Sequence, residues 1–373
     1  MNFSYWERNT WLTNIEYAII GSGITGLNAA IHIKQQQPEA KVLILEKGLL
    51  PEGASTKNAG FACFGSLSEI LDDLNNHADE DVLKLIQKRI SGLKLLRHNL
   101  GDKQIGLKKY GGYELFSRKD TELFQECADR ISEINDFLKP VFDEKVFCLK
   151  KNTFGFQQIH NDLIFNSFEA QLNTGKLMRA LLAKAMSLNV LILNHVEVKT
   201  FEDLNNKVVL ETDRFSISAK KLLVATNGFA SRLGIMEVKP ARAQVLITKP
   251  IKNLKIKGTF HLDKGYYYFR NIDNRILFGG ARNLDFQTEE TDIFGNTPLI
   301  QNKLEDLLKT TILPNTDFEI DQTWSGIMGV GTEKDPIIKA ISPSCFCGVR
   351  LGGMGVAIGS LVGKELAELA LES

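Results

Sequence analysis

The sequence lacks any charge imbalance, because its 373 residues carry 45 lysines and arginines against 45 aspartates and glutamates. Nothing in this balance argues for nucleic acid or an anionic membrane surface as a required partner. Cysteine is also scarce, and the five cysteines are not spaced as a disulfide framework, which favours a reducing, cytoplasmic location. Cys345 and Cys347 lie close together, but no second ligand cluster accompanies them, so no metal site is expected.

Long uninterrupted apolar runs are missing as well. The most apolar stretch, residues 18–33, contains glycines and falls short of the roughly 18 continuous apolar residues of a membrane-spanning helix. The first residues have neither the basic start nor the apolar centre of a signal peptide. We therefore expect a soluble protein. Its hydrophobic content of 43% over this length suits two domains with a substantial core.

A glycine pattern near the N-terminus gives the first positive signal. Gly21, Gly23 and Gly26 stand between an apolar strand-like run and a helix-like segment, which is the context of a dinucleotide-binding fingerprint. Gly21 would make the tight turn, Gly23 would let a pyrophosphate approach, and Gly26 would let the helix pack on the strand. Glu46 ends the next apolar strand, where a carboxylate would accept hydrogen bonds from an adenosine ribose.

The other nucleotide-like segments are dispersed along the chain, which bears on the choice of dinucleotide. They are residues 16–46, 190–228 and 347–371. A nicotinamide-binding fold usually forms one contiguous block of roughly 150 residues, so the interruption favours FAD. The glycine cluster at 352–355 opens a periodic helix, whose N-terminus would stabilise negative charge on the reducible edge of a flavin.

These segments predict an α/β fold with two parts. A Rossmann-like FAD-binding domain would be discontinuous and formed by residues 14–80, 165–230 and 325–373. A second, α+β domain with a mainly antiparallel sheet would bind substrate and comprise residues 81–164 and 231–324. Residues 108–118 are predicted as a pair of short strands, and a helix from about residue 177 would be capped by Asn173 or Thr174. Residues 265–283 are predicted as antiparallel strands with a tight turn around Asp273 and Asn274.

The chain resembles the FAD-dependent oxidoreductases of the D-amino-acid-oxidase-like superfamily, which includes glycine oxidase, sarcosine oxidase and gamma-glutamylputrescine oxidase. The resemblance extends from end to end of the chain and is specific for the family, not for a substrate. The matching segments, in the family's order, are IIGSGITGLNAA, LILEKG, GASTKNAG, LLVATNG, YYYFRNIDNRILFGG, WSGIMG and GVRLGGMGVAIGSLVGKELAEL.

The resemblance implies non-covalently bound FAD and assigns residues to it. Gly21, Gly23 and Gly26 would hold the pyrophosphate, and Glu46 the adenosine ribose. The remaining cofactor residues would be Ser55, Thr56, Lys57 and Asn58 along the isoalloxazine and ribityl groups, Ala225 and Thr226 near the nucleotide, and Gly352, Gly353, Met354 and Gly355 at the pyrimidine edge.

The resemblance also implies a substrate pocket. Tyr266, Tyr268 and Arg270 alternate along one face of a strand, which in this family belongs to the roof of that pocket. Met328 stands where amino-acid-oxidising relatives present an arginine to the substrate carboxylate. An amine is therefore favoured, or an amino acid derivative whose carboxylate is held by Arg270 or Arg282. No histidine lies in a family motif, and none is predicted to act as a base.

The favoured reaction is oxidation of the C–N bond of a small amine or amino acid derivative, with hydride transfer to flavin and hydrolysis of the imine. Leu277 approximately matches a lysine that promotes reaction with dioxygen in sarcosine oxidase, so the electron acceptor is either dioxygen or another molecule. Two alternatives remain open. One is an FAD-dependent dehydrogenase of a hydroxy acid or polyol phosphate, and the other is a non-enzymatic nucleotide-binding protein.

Overall fold

The computed structural model describes residues 2–373. Its strands are β1 (Ile15–Ile20), β2 (Val42–Leu45), β3 (Phe61–Ala62), β4 (Gly112–Leu115), β5 (Phe147–Lys151), β6 (Asp162–Asn166), β7 (Ala170–Gln171), β8 (Leu191–Leu193), β9 (Val198–Asp203), β10 (Val208–Thr212), β11 (Ser216–Val224), β12 (Lys239–Thr248), β13 (Thr259–Leu262), β14 (Tyr267–Ile272), β15 (Arg275–Gly280), β16 (Ile320–Val330), β17 (Ile337–Ser342) and β18 (Cys345–Val349).

The α-helices lie between these strands and at both ends of the described chain. They are α1 (Tyr5–Glu7), α2 (Ile24–Gln36), α3 (Ala54–Lys57), α4 (Leu67–Asn76), α5 (Asp79–Leu100), α6 (Thr121–Asp129), α7 (Ile131–Phe137), α8 (Thr174–Ser187), α9 (Phe286–Glu289), α10 (Pro298–Leu307) and α11 (Gly355–Glu372). Short 3-10 or π turns cover Arg8–Leu12, Asn227–Leu233, Arg282–Leu284 and Leu308–Ile312. No helix within residues 2–373 is both long enough and apolar enough to cross a membrane.

The first sheet has the order β17-β18-β11-β1-β2-β8, with the β9–β10 hairpin attached to β11. Strand β1 pairs in parallel with β2 and β11, and β11 pairs in parallel with β18. Every residue of β2 is buried, as expected for a parallel strand covered on both faces. The carboxyl ends of these strands therefore meet at one edge, which is where open α/β sheets bind ligands.

Helices α2 and α11 pack closely over the first sheet. A Cβ atom at Gly363 of α11 would lie 2.5 Å from the carbonyl oxygen of Thr25 in α2. Helix α5 packs on the other side of α11, where a Cβ atom at Gly92 would lie 2.2 Å from the carbonyl oxygen of Ala357. Glycine at both positions brings the helix backbones together. The C-terminal helix is thus held against the N-terminal βαβ unit.

The second sheet has the order β16-β12-β15-β14-β13-β4-β6-β5. Its pairs are antiparallel apart from β13 and β4. The hairpin of β14 and β15 turns at Asp273 and Asn274, whose φ angles are 46° and 58°. These positive values are those of the tight turns that suit the twist of a hairpin, and the turn lies where the sequence predicts it.

Several segments depart from the sequence-based expectations. Strand β16 crosses the predicted domain boundary at residue 325, because its whole length pairs with β12 in the second sheet. Helix α5 belongs to the helical layer of the first sheet, although most of it lies in the segment predicted for the substrate domain. Only β4 forms between residues 108 and 118, since Lys108 and Ser117 make just isolated bridges, to Gln171 and Ile159. Helix α8 is capped by Asn173, which accepts a hydrogen bond from the Lys176 amide at 2.9 Å.

Candidate active site

A cavity of about 460 Å³ lies where the carboxyl edge of the first sheet faces the second sheet. The first sheet contributes the glycine turn after β1, the end of β2 and the segment after β11. The second sheet contributes side chains of β12, β13 and β16, and Tyr268 of β14. One long cavity thus joins a nucleotide-type turn to a sheet surface.

The glycine turn has the geometry that the fingerprint requires. Gly21 has a φ of 101°, and a Cβ atom there would lie 2.9 Å from the carbonyl oxygen of Ala225. Helix α2 begins directly after Gly23, so its first backbone N–H groups lack intrahelical acceptors. Gly26 is a packing position outside the cavity lining, because its Cβ would meet the Gly21 carbonyl oxygen at 2.0 Å.

Glu46 is held firmly at the end of β2. One carboxylate oxygen accepts hydrogen bonds from the backbone N–H and the hydroxyl of Ser22, at 3.0 and 2.7 Å. The other accepts from the backbone N–H of Gly48 at 3.0 Å. The side chain is 5% exposed and lines the cavity. Its position therefore matches the acceptor predicted for a ribose.

The segment that follows β2 divides into cavity-facing and outward-facing residues. Ser55, Lys57 and Asn58 line the cavity, and the Ser55 hydroxyl accepts a hydrogen bond from the first amide of α2 at 2.9 Å. Thr56 does not line it, because its hydroxyl donates to the carbonyl of Pro51 at 2.6 Å. The prediction that Thr56 borders the cofactor is not matched by its position.

Unpaired polar atoms and bare glycines show that this end of the cavity suits a polar ligand. The buried hydroxyls of Thr25 and Thr226 have no hydrogen-bond partner within residues 2–373, and both residues line the cavity. Gly352 and Gly353 also line it, and a Cβ atom at either would meet no protein atom within 4 Å. Ala225, Met354 and Gly355 complete the predicted set that borders the cavity. These residues fit a dinucleotide.

The second sheet presents a mixed aromatic and apolar surface to the other end. Tyr268 lies across Gly279, where a Cβ atom would be 2.8 Å from the ring. Its hydroxyl makes no hydrogen bond to any residue of the described chain, and burial raises the pKa of Tyr268 to about 12. Tyr266 and Met328 also line the cavity. Tyr268 thus offers a neutral hydroxyl, and Met328 offers no charge.

A buried ion pair in the wall was missed from the sequence. His261 Nε2 lies 2.6 Å from a carboxylate oxygen of Glu169, and His261 lines the cavity. Burial lowers the pKa of His261, but the charge and the hydrogen bond of Glu169 outweigh burial and raise it to about 9. His261 therefore carries a proton at neutral pH. The alternation of Phe260 and His261 in β13 gave the only local signal, and the partner is 92 residues away.

Arg270 lies outside this cavity. Its alternation with Tyr268 is as predicted, but the guanidinium sits behind Gly60, with Nη2 3.2 Å from where a glycine Cβ would be. It lines a second cavity on the far side of that loop. The structure therefore does not support the predicted contact between Arg270 and a substrate in the main cavity.

Arg282 is the arginine that lines the main cavity without a carboxylate partner in the described chain. It follows β15, and its guanidinium lies 4.7 Å from the centre of the Phe286 ring. Burial lowers the pKa of Arg282, with Tyr266 and two glutamates acting in the opposite direction. Among the other cations in the lining, Lys264 pairs with Asp72 and Arg232 with Asp292. Lys47 and Lys57 also line the cavity without a carboxylate partner in the described chain, but Lys47 directly follows Glu46 and Lys57 belongs to the predicted cofactor residues. Arg282 thus remains available to an anion.

The segment that follows Arg282 is held in place by a buried glutamate. Glu289, which is fully buried, accepts two hydrogen bonds from Arg242 and one from Gln244, at 2.8, 2.8 and 2.9 Å. Both partners belong to β12, so the segment that follows Arg282 is fixed to the second sheet. Residues 2–373 contain no group of three or more histidine, cysteine or acidic side chains arranged to hold a metal ion.

The parallel sheet, the glycine turn and the adjoining sheet-lined cavity define a dinucleotide-dependent enzyme of two-domain type. Comparison with known proteins gives the particular family. The chain matches the DAO family, described as FAD dependent oxidoreductase, over residues 16–369. It is 22% identical to "Probable oxidoreductase OrdL" of Haemophilus influenzae, over 96% of this chain and 84% of that protein.

Solved structures have a similar fold. Glycine oxidase from Geobacillus kaustophilus is 20% identical, with a TM-score of 0.75 over 96% of this chain and 95% of that one. Iminodiacetate oxidase from Chelativorans sp. BNC1 is 19% identical, with a TM-score of 0.76 over 96% of each chain. The chain belongs to the DAO family of FAD-dependent oxidoreductases. The predicted fold class, cofactor and enzyme class are therefore confirmed.

Proposed function

We propose that the protein oxidises the C–N bond of a small amine that carries a carboxylate, such as an N-substituted amino acid. The observation that carries this proposal is Arg282, a cation in the cavity wall with no carboxylate partner within residues 2–373. An arginine binds a carboxylate through two parallel hydrogen bonds. The amine end of such a substrate would then reach the part of the cavity between Tyr268 and the cofactor residues.

FAD would be held without a covalent bond at the glycine end of the cavity. The amides at the start of α2 would face its pyrophosphate, and Glu46 would accept from its ribose. The free hydroxyls of Thr25 and Thr226 would gain partners there. The amides that open α11, at Gly355, would face negative charge on the flavin ring. When bound, FAD supplies the hydride acceptor for oxidation of a C–N bond.

The chain's own side chains would orient the substrate and set its charge. Tyr268 stays neutral at physiological pH and would donate or accept one hydrogen bond. Met328 would pack against an apolar part of the substrate, since a thioether is at most a weak acceptor. Glu169 neutralises the positive charge of His261, so this pair adds no net charge to the cavity wall. Since Lys47 and Lys57 lie at the end proposed for the cofactor, Arg282 would be the anchor for a substrate anion.

The names of similar structures support an amine-type substrate. Two of them are described as a glycine oxidase and an iminodiacetate oxidase, and a third, from P. horikoshii, as an L-proline dehydrogenase with a TM-score of 0.75. Each of those names denotes a substrate with both an amine and a carboxylate. The same combination suits the distribution of charge in this cavity.

The proposal is tested by anaerobic reduction of the purified FAD-loaded protein. N-methylglycine and dimethylamine form a matched pair that differ by the carboxylate. We expect N-methylglycine, which carries the carboxylate, to bleach the flavin absorption at lower concentrations than dimethylamine does. Arg282→Gln should abolish that difference, whereas Arg282→Lys should retain part of it. Bleaching by hydroxy acids or glycerol 3-phosphate alone, with no response to any amine, would overturn the proposal.

A further inference from the structure

The second cavity has the features of a binding site that the oxidation reaction does not use. It encloses about 390 Å³ between β14, β7 and the start of α8. Arg270 forms its inner wall and is 2% exposed. This guanidinium makes no hydrogen bond and no ion pair within residues 2–373, and its Nε is buried without a partner. Buried arginines are almost always paired, so the unpaired one points to a missing anion.

The charge around Arg270 is positive. The cavity is also lined by Lys103, Lys108 and Lys176, none of which forms an ion pair in the part of the chain that is described. Of the two aspartates in the lining, Asp102 is engaged by Arg97 through two hydrogen bonds of 2.7 and 2.8 Å. Asp273 is exposed at the turn of the hairpin. The uncompensated cations therefore exceed the free carboxylates.

The backbone contributes in the same direction. Helix α8 begins at Thr174, and its cap residue Asn173 lines the cavity. The positive end of a helix of this length favours an anion nearby. The stem of Lys176 lies along Gly106, with Cδ 3.3 Å from where a glycine Cβ would be. This contact holds the lysine beside the cavity.

An unsatisfied acceptor defines the ligand further. Gln171 is 6% exposed, its Nε2 donates to the carbonyl of Asn271 at 3.1 Å, and its Oε1 is buried without a partner. A cavity lined by both a free acceptor and an unpaired guanidinium suits a ligand that is anionic and also carries a hydroxyl donor. Monohydrogen phosphate and the monoanion of a phosphate monoester have both. Sulfate is an anion without such a proton at neutral pH.

We propose that this second cavity binds a phosphate group, with Arg270 and Gln171 contacting it directly and Lys103, Lys108 and Lys176 surrounding it. The inference does not depend on the amine substrate, because neither Arg270 nor Gln171 lines the main cavity. The two cavities adjoin at Gly60, so phosphate here would lie behind the loop that borders the cofactor. Burial lowers the pKa of Arg270 to about 10, and the charge of Asp273 acts in the opposite direction without outweighing it.

The test is calorimetric titration of the FAD-loaded protein with inorganic phosphate at constant ionic strength. We expect one phosphate per chain and weaker binding of sulfate. Arg270→Met should raise the dissociation constant about tenfold or more, the effect of losing a charge-assisted hydrogen bond. Lys108→Gln and Lys176→Gln should each raise it by roughly 2- to 5-fold. Lys207→Gln, at an exposed lysine on the β9–β10 hairpin, is the matched control and should bind as the wild type does.

Three further measurements make the outcome decisive. Arg282→Gln should retain phosphate binding, which separates this site from the main cavity. Glycerol 3-phosphate distinguishes the source, since binding at least as tight as phosphate assigns a monoester and weaker binding assigns the free ion. Without phosphate, the melting temperature of Arg270→Met should be no lower than that of the wild type, because an unpaired buried charge is removed. Absence of phosphate binding, equal binding by Arg270→Met, or a marked loss of stability in that variant would overturn the proposal.

Discussion

The ion pair of His261 and Glu169 makes stability depend on pH in a direction that can be worked out. A free histidine has a pKa near 6.5, and the folded protein raises that of His261 to about 9. The folded state therefore binds the proton more tightly than the unfolded state does. The contribution of the pair is fully present below pH 6.5 and is lost as the pH rises through 9.

The size of the effect follows from the same shift. At about 1.4 kcal/mol per pH unit, it corresponds to about 3 kcal/mol of unfolding free energy. No reduction for solvent screening is needed, since His261 is 5% exposed and Glu169 is 1% exposed. We expect the free energy of unfolding in urea to fall with a slope approaching about 1.4 kcal/mol per pH unit across this interval.

The variant that isolates this term is the double substitution His261→Gln with Glu169→Gln, which keeps two polar groups of similar size and removes both charges. Its unfolding free energy, measured beside that of the wild type from pH 6.5 to 9, should lack the slope. His261→Gln alone should cost about 3–5 kcal/mol, because Glu169 would be left buried without a cation. His77→Gln, at an exposed position, should parallel the wild type. The reasoning would be refuted if the difference in unfolding free energy between the wild type and the double variant stayed constant within roughly 0.5 kcal/mol from pH 6.5 to 9.

Three other predictions concern the cofactor, the substrate and the helix packing. Gly23→Val should be purified without the yellow colour of FAD, because Gly23 lines the cavity and a Cβ atom there would lie 2.8 Å from the Ser55 hydroxyl. A fully coloured protein would contradict the placement of the pyrophosphate. Arg282→Gln should raise KM about 10- to 100-fold for amines with a carboxylate, and steady-state kinetics showing an equal effect on amines without one would argue against direct contact. Gly92→Ala should lower the free energy of unfolding by about 1–3 kcal/mol, since its Cβ would lie 2.2 Å from the Ala357 carbonyl oxygen; unchanged urea midpoints would show that the α5 and α11 helices separate easily.

The features that sequence reasoning found are those encoded within a few neighbouring residues. The turn at Gly21 and Gly23 follows from backbone geometry alone, and Glu46 follows from its place at the end of a buried strand. The hairpin at Asp273 and Asn274 is likewise local, because these residues tolerate positive φ angles. Local signals of this kind fix the fold class and the cofactor end of the cavity.

The substrate end depends on pairings that the sequence does not state. Alternation correctly places Tyr268 and Arg270 on one face, but it does not show that the Gly60 loop separates them into two cavities. The pairing of His261 with Glu169 joins β13 of the second sheet to the residue before β7, which belongs to a separate two-stranded sheet. The two residues are 92 positions apart, so neither segment indicates the other. The orientation of Thr56 toward Pro51 depends on the rotamer of one side chain within a single helical turn. The features that sequence reasoning did not find therefore depend on how separate segments meet or on the direction of a single side chain.

The distribution of charge in the main cavity connects these observations to the choice of substrate. Met328 lies in the wall, at a position where the sequence resemblance implies an arginine in amino-acid-oxidising relatives, and a thioether cannot form an ion pair with a carboxylate. His261 is charged, but Glu169 neutralises it at 2.6 Å, and Lys264 and Arg232 are paired as well. The unpaired Lys47 and Lys57 lie beside Glu46 and among the predicted cofactor residues. Arg282, held by the Glu289-anchored segment and stacked on Phe286, keeps its charge for a ligand. A carboxylate in this cavity would therefore bind on the β15 side, so the enzyme should favour amines whose carboxylate reaches Arg282 over those that need a cation at position 328.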